Sequence, residues 1–234
     1  MVEIELRYEV LDATQLSTFV SSLKQLSCKH DVDIYFDSPT LRLYRKGIFV
    51  RTRNGKTLDI KFNRACLKDR TLAIQDHCEE YIFTLPLSEI DRIRLNFVLL
   101  SLGLPRLRYA DFTHFLEVNK FKEHYRVDKV RTSYRHELFT LSIDEVAGLG
   151  TFLEIELMAN TAENLETITH NMRALLKNLN LKPLHTGYGT LLLRKKDFKT
   201  YLLGRFILEE DKIHAIEPKK KTKRTNQNRT TSNG

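Results

Sequence analysis

Strict alternation of apolar and charged residues marks the beginning of the chain as a β-strand. Within residues 2–10 the even positions are apolar, and the odd positions carry Glu3, Glu5, Arg7 and Glu9. Successive side chains of an extended chain point to opposite faces, so this strand has one apolar and one charged face. Similar patterns predict strands at residues 31–37, 47–53, 57–63, 78–85, 125–134, 138–146 and 152–158. Asn54-Gly55 predicts a hairpin turn within this set.

Segments with apolar residues at helical spacing separate several of these strands. Asp12 precedes one such segment, whose apolar positions predict a helix that includes Leu26. A second helix is expected from Ser88 to about Gly103, and a third over residues 109–118. A fourth predicted helix has Asn160 and Glu163 as its cap and Leu165, Ile168, Met172, Leu175 and Leu179 as its apolar face.

The same charged face recurs in strand after strand. Its members are Glu3, Glu5, Arg7, Arg51, Arg53, Lys61, Lys129, Arg131, Asp144, Glu154 and Glu156. An ordinary antiparallel sheet with a solvated, salt-bridged side would also alternate in this way. The amphipathic helices, however, need the apolar side of the sheet to pack against. We therefore expect the charged side to face the interior of a curved sheet, where small closed barrels can enclose a ligand.

The chemistry of that interior follows from its two sets of charges. Carboxylates two positions apart on separate strands suit a hard divalent cation, which prefers oxygen ligands. Arg and Lys side chains suit phosphate oxygens, which Arg can bind through two parallel hydrogen bonds. Since buried charges are costly without partners, the two sets in one cavity predict a metal complex of a polyphosphate.

The net charge of the protein lies mostly in its C-terminal tail. The 234 residues include 38 Lys or Arg and 30 Asp or Glu, a formal net charge of +8. Six of these bases and no acid follow Pro218, which leaves +2 for the rest of the chain. We expect one domain over residues 1–216 and a basic disordered tail over 217–234. The alternative for the tail is a nuclear-targeting or nucleic-acid contact, the only such contact expected here.

Cysteine usage and hydropathy indicate a cytoplasmic protein. Cys28, Cys66 and Cys78 are odd in number and lack CxxC spacing, which argues against a disulfide framework or a zinc site. The longest apolar stretch, near residues 97–104, is far shorter than the ~20 residues of a membrane helix. The first ten residues do not have the pattern of a secretory signal. No membrane partner is expected.

The ordered set of motifs resembles the CYTH family, named for class IV adenylyl cyclase and thiamine triphosphatase and also called the triphosphate tunnel metalloenzymes. The family's Glu-x-Glu-x-Lys signature is similar to residues 3–7, and its Tyr-Phe-Asp-Thr-Pro element to residues 35–39. Other matching segments are residues 49–53, 59–61, 129–131, 143–156 and 188–192. A single such motif is weak, whereas this set in the family's order is specific.

The resemblance implies an α+β fold, in which an eight-stranded antiparallel β-barrel forms a triphosphate tunnel with helices packed on the outside. The tunnel would bind a small-molecule triphosphate together with Mg²⁺ or Mn²⁺. The implied metal side is Glu3, Glu5, Glu80, Asp144, Glu154 and Glu156. The implied phosphate side is Arg7, Arg51, Arg53, Lys61, Lys129 and Arg131. The expected catalytic set is Glu3, Glu5, Arg7, Glu154 and Glu156.

Two positions depart from the family pattern. Arg7 stands where the family has Lys, and a guanidinium stays protonated, so residue 7 cannot act as a base. The family's Arg-x-Glu strand is represented by residues 78–80, which lack the Arg, so Glu80 alone is carried over. Tyr188 is interpreted as a packing residue of the outer helix layer.

These inferences predict a metal-dependent triphosphatase that removes the terminal phosphate of inorganic triphosphate, thiamine triphosphate or a nucleotide. The first alternative is a class IV adenylyl cyclase that forms cyclic AMP from ATP. Residues 30–36 mildly resemble that subgroup, whereas residues 45–48 are more similar to the phosphohydrolases. The second alternative is a non-catalytic module that binds polyphosphate or a nucleotide, because the two departures could abolish turnover.

Overall fold

The computed structural model of the protein describes residues 2–69, 77–159 and 165–215, with the backbone alone for residues 2, 3, 77 and 159. The strands are β1 (Val2–Val10), β2 (Lys24–Asp37), β3 (Ile48–Arg53), β4 (Thr57–Phe62), β5 (His77–Thr84), β6 (Lys122–His136), β7 (Phe139–Val146), β8 (Gly150–Ala159) and β9 (Leu181–Leu184). The helices are α1 (Ala13–Val20), α2 (Arg64–Lys68), α3 (Glu89–Ser101), α4 (Phe112–Asn119), α5 (Leu165–Leu176), α6 (Tyr188–Lys196) and α7 (Phe198–Tyr201). Short 3₁₀ helices lie at Tyr44–Lys46 and Glu209–His214.

The strands form one antiparallel sheet that returns on itself. Its order is β5-β4-β3-β2-β6-β7-β8-β1-β9, and a further pairing joins β5 to β1. That pairing consists of Glu3 opposite Cys78 and Ile4 opposite His77. Eight strands thereby enclose an interior, as predicted. The ninth, β9, pairs with residues 7–10 of β1, where the pairing with β5 has already ended.

The predicted hairpin between β3 and β4 is confirmed. These strands pair from Ile48 opposite Phe62 to Arg53 opposite Thr57. Asn54 and Gly55 have φ angles of 53° and 64°, the left-handed conformation that such turns need and that Asn and Gly tolerate best. Oδ1 of Asn54 also accepts a hydrogen bond of 2.8 Å from the backbone N–H of Val32, which ties the turn to β2.

Helices cover the apolar outer face of most of the barrel. The outer residues of β3, β4 and β5 pack with α3 and α4, and those of β1, β7 and β8 pack with α1 and α5. Helix α6 differs, because it packs against Val127 of β6 and Phe152 of β8, which lie on the inward side of their strands together with the charged residues. The outer face of β2 and β6 is different, because an exposed ion pair between His30 and Asp128 lies on it. The charged face of the sheet therefore points inward, as the alternation predicted.

Three details differ from the sequence-based expectations or extend them. Helix α1 ends at Val20 and β2 begins at Lys24, so the helix predicted to include Leu26 is shorter. Pairing with β6 along almost the whole of β2 gives residues 24–30 a hydrogen-bonded ladder that outweighs their helical spacing. The short strand β9 was not predicted, because Pro183 is atypical of strands other than edge strands.

The remaining predictions fall partly outside the described residues. The capping residues Asn160 and Glu163 and the basic tail over 217–234 lie there. The described chain packs as far as Ala215, and the single domain over residues 1–216 stays a prediction. Among the described helices, none is long and apolar enough to cross a membrane.

Candidate functional site

The interior of the barrel contains a cavity of about 240 Å³ that is lined mainly by charged side chains. Ten of the twelve residues in the predicted metal and phosphate sets line it, namely Glu5, Arg7, Arg51, Arg53, Lys61, Glu80, Lys129, Arg131, Glu154 and Glu156. The side chain of Glu3 is outside the described part of the structure. Asp144 is fully buried beside two of the lining bases. Alternation along separate strands thus brings distant residues into one cavity.

Two buried aspartates hold the arginines of β3 in place. Asp33 accepts hydrogen bonds from Nη1 of Arg51 at 3.1 Å and from Nε of Arg53 at 2.9 Å. Asp59 accepts from Nε of Arg51 at 3.2 Å. Asp33 and Asp59 are 2% and 1% exposed, so they lie behind the arginines. Nη2 of Arg51 donates to Glu80 at 2.9 Å on the opposite side. These contacts fix the guanidinium groups before any ligand arrives.

Asp144 has the same relationship to the bases of β6. Its carboxylate accepts hydrogen bonds from Nζ of Lys129 at 2.8 Å and from Nε of Arg131 at 2.7 Å. Burial and the neighbouring Arg131 lower the pKa of Lys129, although the carboxylates of Glu154 and Asp144 oppose that change. In this position Asp144 orients two cations, and its role as a metal ligand stays a prediction.

The acidic side of the cavity lies on β1 and β8. In their antiparallel register Glu5 is opposite Glu156, and Arg7 is opposite Glu154. Nε of Arg7 donates to Glu154 at 2.6 Å, and Nζ of Lys61 donates to Glu5 at 3.0 Å. Arg7 also contacts Glu5. Burial alone would raise the pKa of Glu154, but Arg131 and Arg7 outweigh it and hold that pKa well below its ordinary value.

The oxygen donors of β1 and β8 suit a divalent cation that arrives with phosphate. Among the described residues, no three His, Cys, Asp or Glu side chains are grouped so that they could hold an ion by themselves. Mg²⁺, however, is commonly bound by one or two carboxylates together with substrate phosphates, not by a complete protein cage. Glu5 and Glu156 face each other across one strand pair and line the cavity. This donor set fits a divalent cation that is bound together with phosphate.

Tyr188 is a packing residue, since its ring lies 4.9 Å from that of Phe152, but it is not confined to an outer helix layer because it also lines the cavity. Helix α6 begins at the cavity, and Gly187, Tyr188, Gly189 and Thr190 line it. The guanidinium carbon of Arg7 is 4.7 Å from the centre of the Tyr188 ring, and Nζ of Lys129 is 5.2 Å from it. The position of a helix start relative to a barrel depends on tertiary packing, which no local sequence pattern reports.

The aspartates behind the arginines were also not predicted as site residues. Asp33 alternates with apolar residues in β2, and Asp59 is two positions before Lys61 in β4. The alternation therefore could have placed both aspartates on the charged side of the sheet. Asp37 has a structural role, because its buried carboxylate accepts from the backbone N–H groups of Leu43 and Tyr44 at 3.0 and 2.8 Å. It thereby holds the 3₁₀ helix at Tyr44–Lys46.

Known proteins with the same features fall into one group. The family model of the CYTH domain matches residues 1–186. A protein of Methanocaldococcus jannaschii, named as a proposed adenylate cyclase, is 26% identical over 186 residues, which cover 77% of this chain and 91% of that protein. The family model and this relative each match more than three quarters of the chain.

Two solved structures share the fold. A protein of Pyrococcus horikoshii is 22% identical with a TM-score of 0.57, and the match covers 83% of this chain and 99% of that one. A proposed adenylyl cyclase of Hippeastrum, described as having a dominant triphosphatase activity, is 20% identical with a TM-score of 0.53. That match covers 83% of this chain and 94% of the Hippeastrum chain. The match of the family model over most of the sequence shows that this chain belongs to the CYTH domain family.

Proposed function

We propose that this protein is a divalent-metal-dependent triphosphatase that removes the terminal phosphate of a small triphosphate inside the barrel. The observation that carries the proposal is the convergence of six Arg or Lys side chains on a cavity of about 240 Å³. Such a concentration of fixed cations in a small, largely enclosed space suits a compact polyanion. CYTH enzymes hydrolyse triphosphates or cyclise them, and a triphosphate is such a polyanion.

The bases of the cavity would bind and orient the phosphate chain. Arg51 and Arg53 would donate to phosphate oxygens from β3, and Lys129 and Arg131 from β6. Each pair is held from behind by a carboxylate that the structure describes, so little reorganisation would accompany binding. Phosphoryl transfer depends mainly on such positioning and electrostatic stabilisation.

The acids of β1 and β8 would complete the reaction site. Glu5 and Glu156 would hold Mg²⁺ or Mn²⁺, which supplies neutralisation of charge on the phosphate when bound. Arg7 cannot act as a base, so it would contribute charge alone while its contacts with Glu154 and Glu5 keep both carboxylates ionised. A water molecule would attack the terminal phosphorus, and the P–O bond to the leaving diphosphate would break. The products would be inorganic phosphate and a diphosphate compound.

Cyclisation is the second candidate, and the names of two relatives favour it. The M. jannaschii and Hippeastrum proteins are both named as proposed adenylyl cyclases. In a cyclase the ribose 3′-hydroxyl of ATP would replace water as the nucleophile. The triphosphatase activity described for the Hippeastrum protein supports hydrolysis on the same fold. A non-catalytic polyphosphate-binding module is the third candidate.

Product analysis with purified protein distinguishes the three candidates. The full chain is incubated with Mg²⁺ or Mn²⁺ and with tripolyphosphate, thiamine triphosphate or ATP in turn. Phosphate release that ends on addition of a chelator is expected. Cyclic AMP from ATP would instead establish the cyclase, and binding without either product would establish the non-catalytic module.

Matched substitutions locate the activity in the barrel. Arg51→Ala is expected to weaken binding of the triphosphate, because Arg51 lines the cavity. Arg126→Ala is its matched control, because the exposed Arg126 side chain pairs with Glu123 and does not line the cavity. For acidic variants the control is Glu145→Gln, since Glu145 lies on β7 with an exposed side chain. If Arg51→Ala kept both the turnover rate and the KM for the triphosphate, the reaction would take place elsewhere.

A further inference from the structure

The start of helix α6 forms part of the cavity wall. The helix has nine residues, and its N-cap, Gly187, supplies no side-chain acceptor for the first backbone N–H groups. Those N–H groups have no partner within a helix, and together with the helix dipole they attract negative charge. Gly187, Tyr188, Gly189 and Thr190 all line the cavity that contains the Arg and Lys residues.

A helix start alone would not establish a ligand site, but Tyr188 adds an independent observation. Its side chain is 6% exposed, and its buried hydroxyl has no hydrogen-bond partner among the described residues. A buried hydroxyl without a partner is costly and calls for an explanation. Its ring contacts Arg7 and Lys129, which are bases of the cavity. Burial raises the pKa of Tyr188 well above its ordinary value, so the hydroxyl keeps its proton for donation.

The packing of α6 explains how the backbone reaches the cavity. A Cβ atom at Gly189 would lie 2.5 Å from the Tyr125 ring, so only glycine permits this close approach of the helix. This contact with Tyr125 holds the first turn of α6 against the barrel, where residues 187–190 line the cavity. The local sequence, with glycine on both sides of Tyr188, therefore places one hydroxyl and several N–H groups together at the wall.

We propose that the Tyr188 hydroxyl and the first backbone N–H groups of α6 form a phosphate-binding subsite, distinct from the Arg and Lys residues of the strands. This inference rests on the proposed function, because it assigns α6 to one phosphate group of the same triphosphate. The ligand class is an inorganic or organic polyphosphate. The subsite adds uncharged donors, which fix the position of a phosphate group, to strand-borne charges that attract it.

Binding of tripolyphosphate to the full chain in the presence of a chelator tests the subsite without turnover. Tyr188→Phe removes the hydroxyl and keeps the ring, so the dissociation constant is expected to rise about tenfold, the scale of one hydrogen bond to a charged group. Tyr81→Phe is the matched control, because the Tyr81 hydroxyl donates to Glu79 at 2.9 Å and the residue does not line this cavity. The control is expected to change the constant less than twofold.

A measurement on the unaltered protein makes the test independent of folding effects. Amide NMR signals of residues 188–190 are expected to shift on addition of tripolyphosphate, and those of the exposed β2–β6 face are not. Unchanged affinity in Tyr188→Phe together with unmoved amide signals would overturn the subsite, while a large loss in Arg51→Ala would leave the cavity as the triphosphate site. A third outcome is weaker binding by Tyr188→Phe and shifted amide signals in the unaltered protein, but no phosphate release with Mg²⁺. That outcome would support the subsite and overturn the proposed hydrolase activity. A wild-type protein that binds no tripolyphosphate would overturn both proposals.

Discussion

Glu5 on β1 and Glu156 on β8 are direct register partners, so two carboxylates face each other across one strand pair of the barrel. Like charges directly opposite each other are unfavourable in a sheet. Lys61 and Arg7 on the Glu5 side offset part of this repulsion. A divalent cation would offset more of it, which makes this pair the natural place to test metal dependence.

Glu156→Gln is expected to lower turnover of tripolyphosphate by about 100-fold at low Mg²⁺, because metal assistance is worth several kcal/mol and each 1.36 kcal/mol is about tenfold in rate. Higher Mg²⁺ should restore part of the rate. Binding of tripolyphosphate in the presence of a chelator should not weaken, since the change removes a negative charge. Steady-state phosphate release at several metal concentrations measures this, with Glu145→Gln as the control. An identical metal requirement in Glu156→Gln would remove Glu156 from the metal side.

Asp33→Asn tests whether the aspartate behind Arg51 and Arg53 positions them. Removal of one partner from a buried ion pair costs about 3–5 kcal/mol, so the free energy of unfolding should fall clearly. The KM for tripolyphosphate should rise about tenfold, the scale of one charge-assisted hydrogen bond that is no longer well placed. Chemical denaturation and steady-state kinetics measure the two effects.

Asp128→Asn is the matched control for that experiment. Asp128 forms an ion pair with His30 at 2.7 Å on the outer face of the barrel, where both side chains are more than half exposed. Exposed pairs contribute about 0–1 kcal/mol, so both stability and KM should stay close to those of the parent protein. Equal KM values in Asp33→Asn and Asp128→Asn would show that Asp33 has no positioning role.

Acid should destabilise the metal-free protein through Glu154. Its pKa lies well below the ordinary value of 4.5 because Arg131 and Arg7 outweigh the effect of burial. A carboxylate whose pKa is lower in the folded than in the unfolded state stabilises the fold at pH values above the unfolded-state pKa. That stabilisation is lost as the pH falls toward the folded-state pKa. Urea unfolding between pH 6 and pH 3 in the presence of a chelator should therefore show a decline below about pH 4.5. Glu154→Gln should start less stable at pH 6 and decline less, and parallel curves would contradict the assignment.

Asp37→Ala should separate stability from ligand binding. The substitution leaves the buried N–H groups of Leu43 and Tyr44 without their acceptor, which should cost about 2 kcal/mol or more. Affinity for tripolyphosphate should change less than twofold, because Asp37 does not line the cavity. Asp12→Ala, which removes the half-buried N-cap of α1, is the comparison, with an expected cost of about 1 kcal/mol. A large loss of affinity in Asp37→Ala would place this residue in the binding machinery.

The barrel and most of the charged interior could be predicted from the sequence. The reason is that successive side chains of a strand point to opposite faces, so the face of each residue can be read from the local sequence. Glu5 and Arg7 required only alternation and the argument that helices cover the apolar side. Asp33 shared that parity, but its place behind the arginines depends on the neighbouring strand. The place of Tyr188 in the cavity wall could not be predicted, because it follows from where α6 meets the barrel. The start of β2 was misjudged since pairing with β6 outweighs a local helical pattern.

The match to the CYTH domain ends at residue 186, one residue before the N-cap of α6. The segment that the family model matches thus contains the strand-borne charges but not the part of the cavity wall at residues 187–190. A recombinant fragment cut at the family boundary would retain the signature residues and lose Gly187, Tyr188 and Gly189. Its behaviour would not represent that of the whole protein.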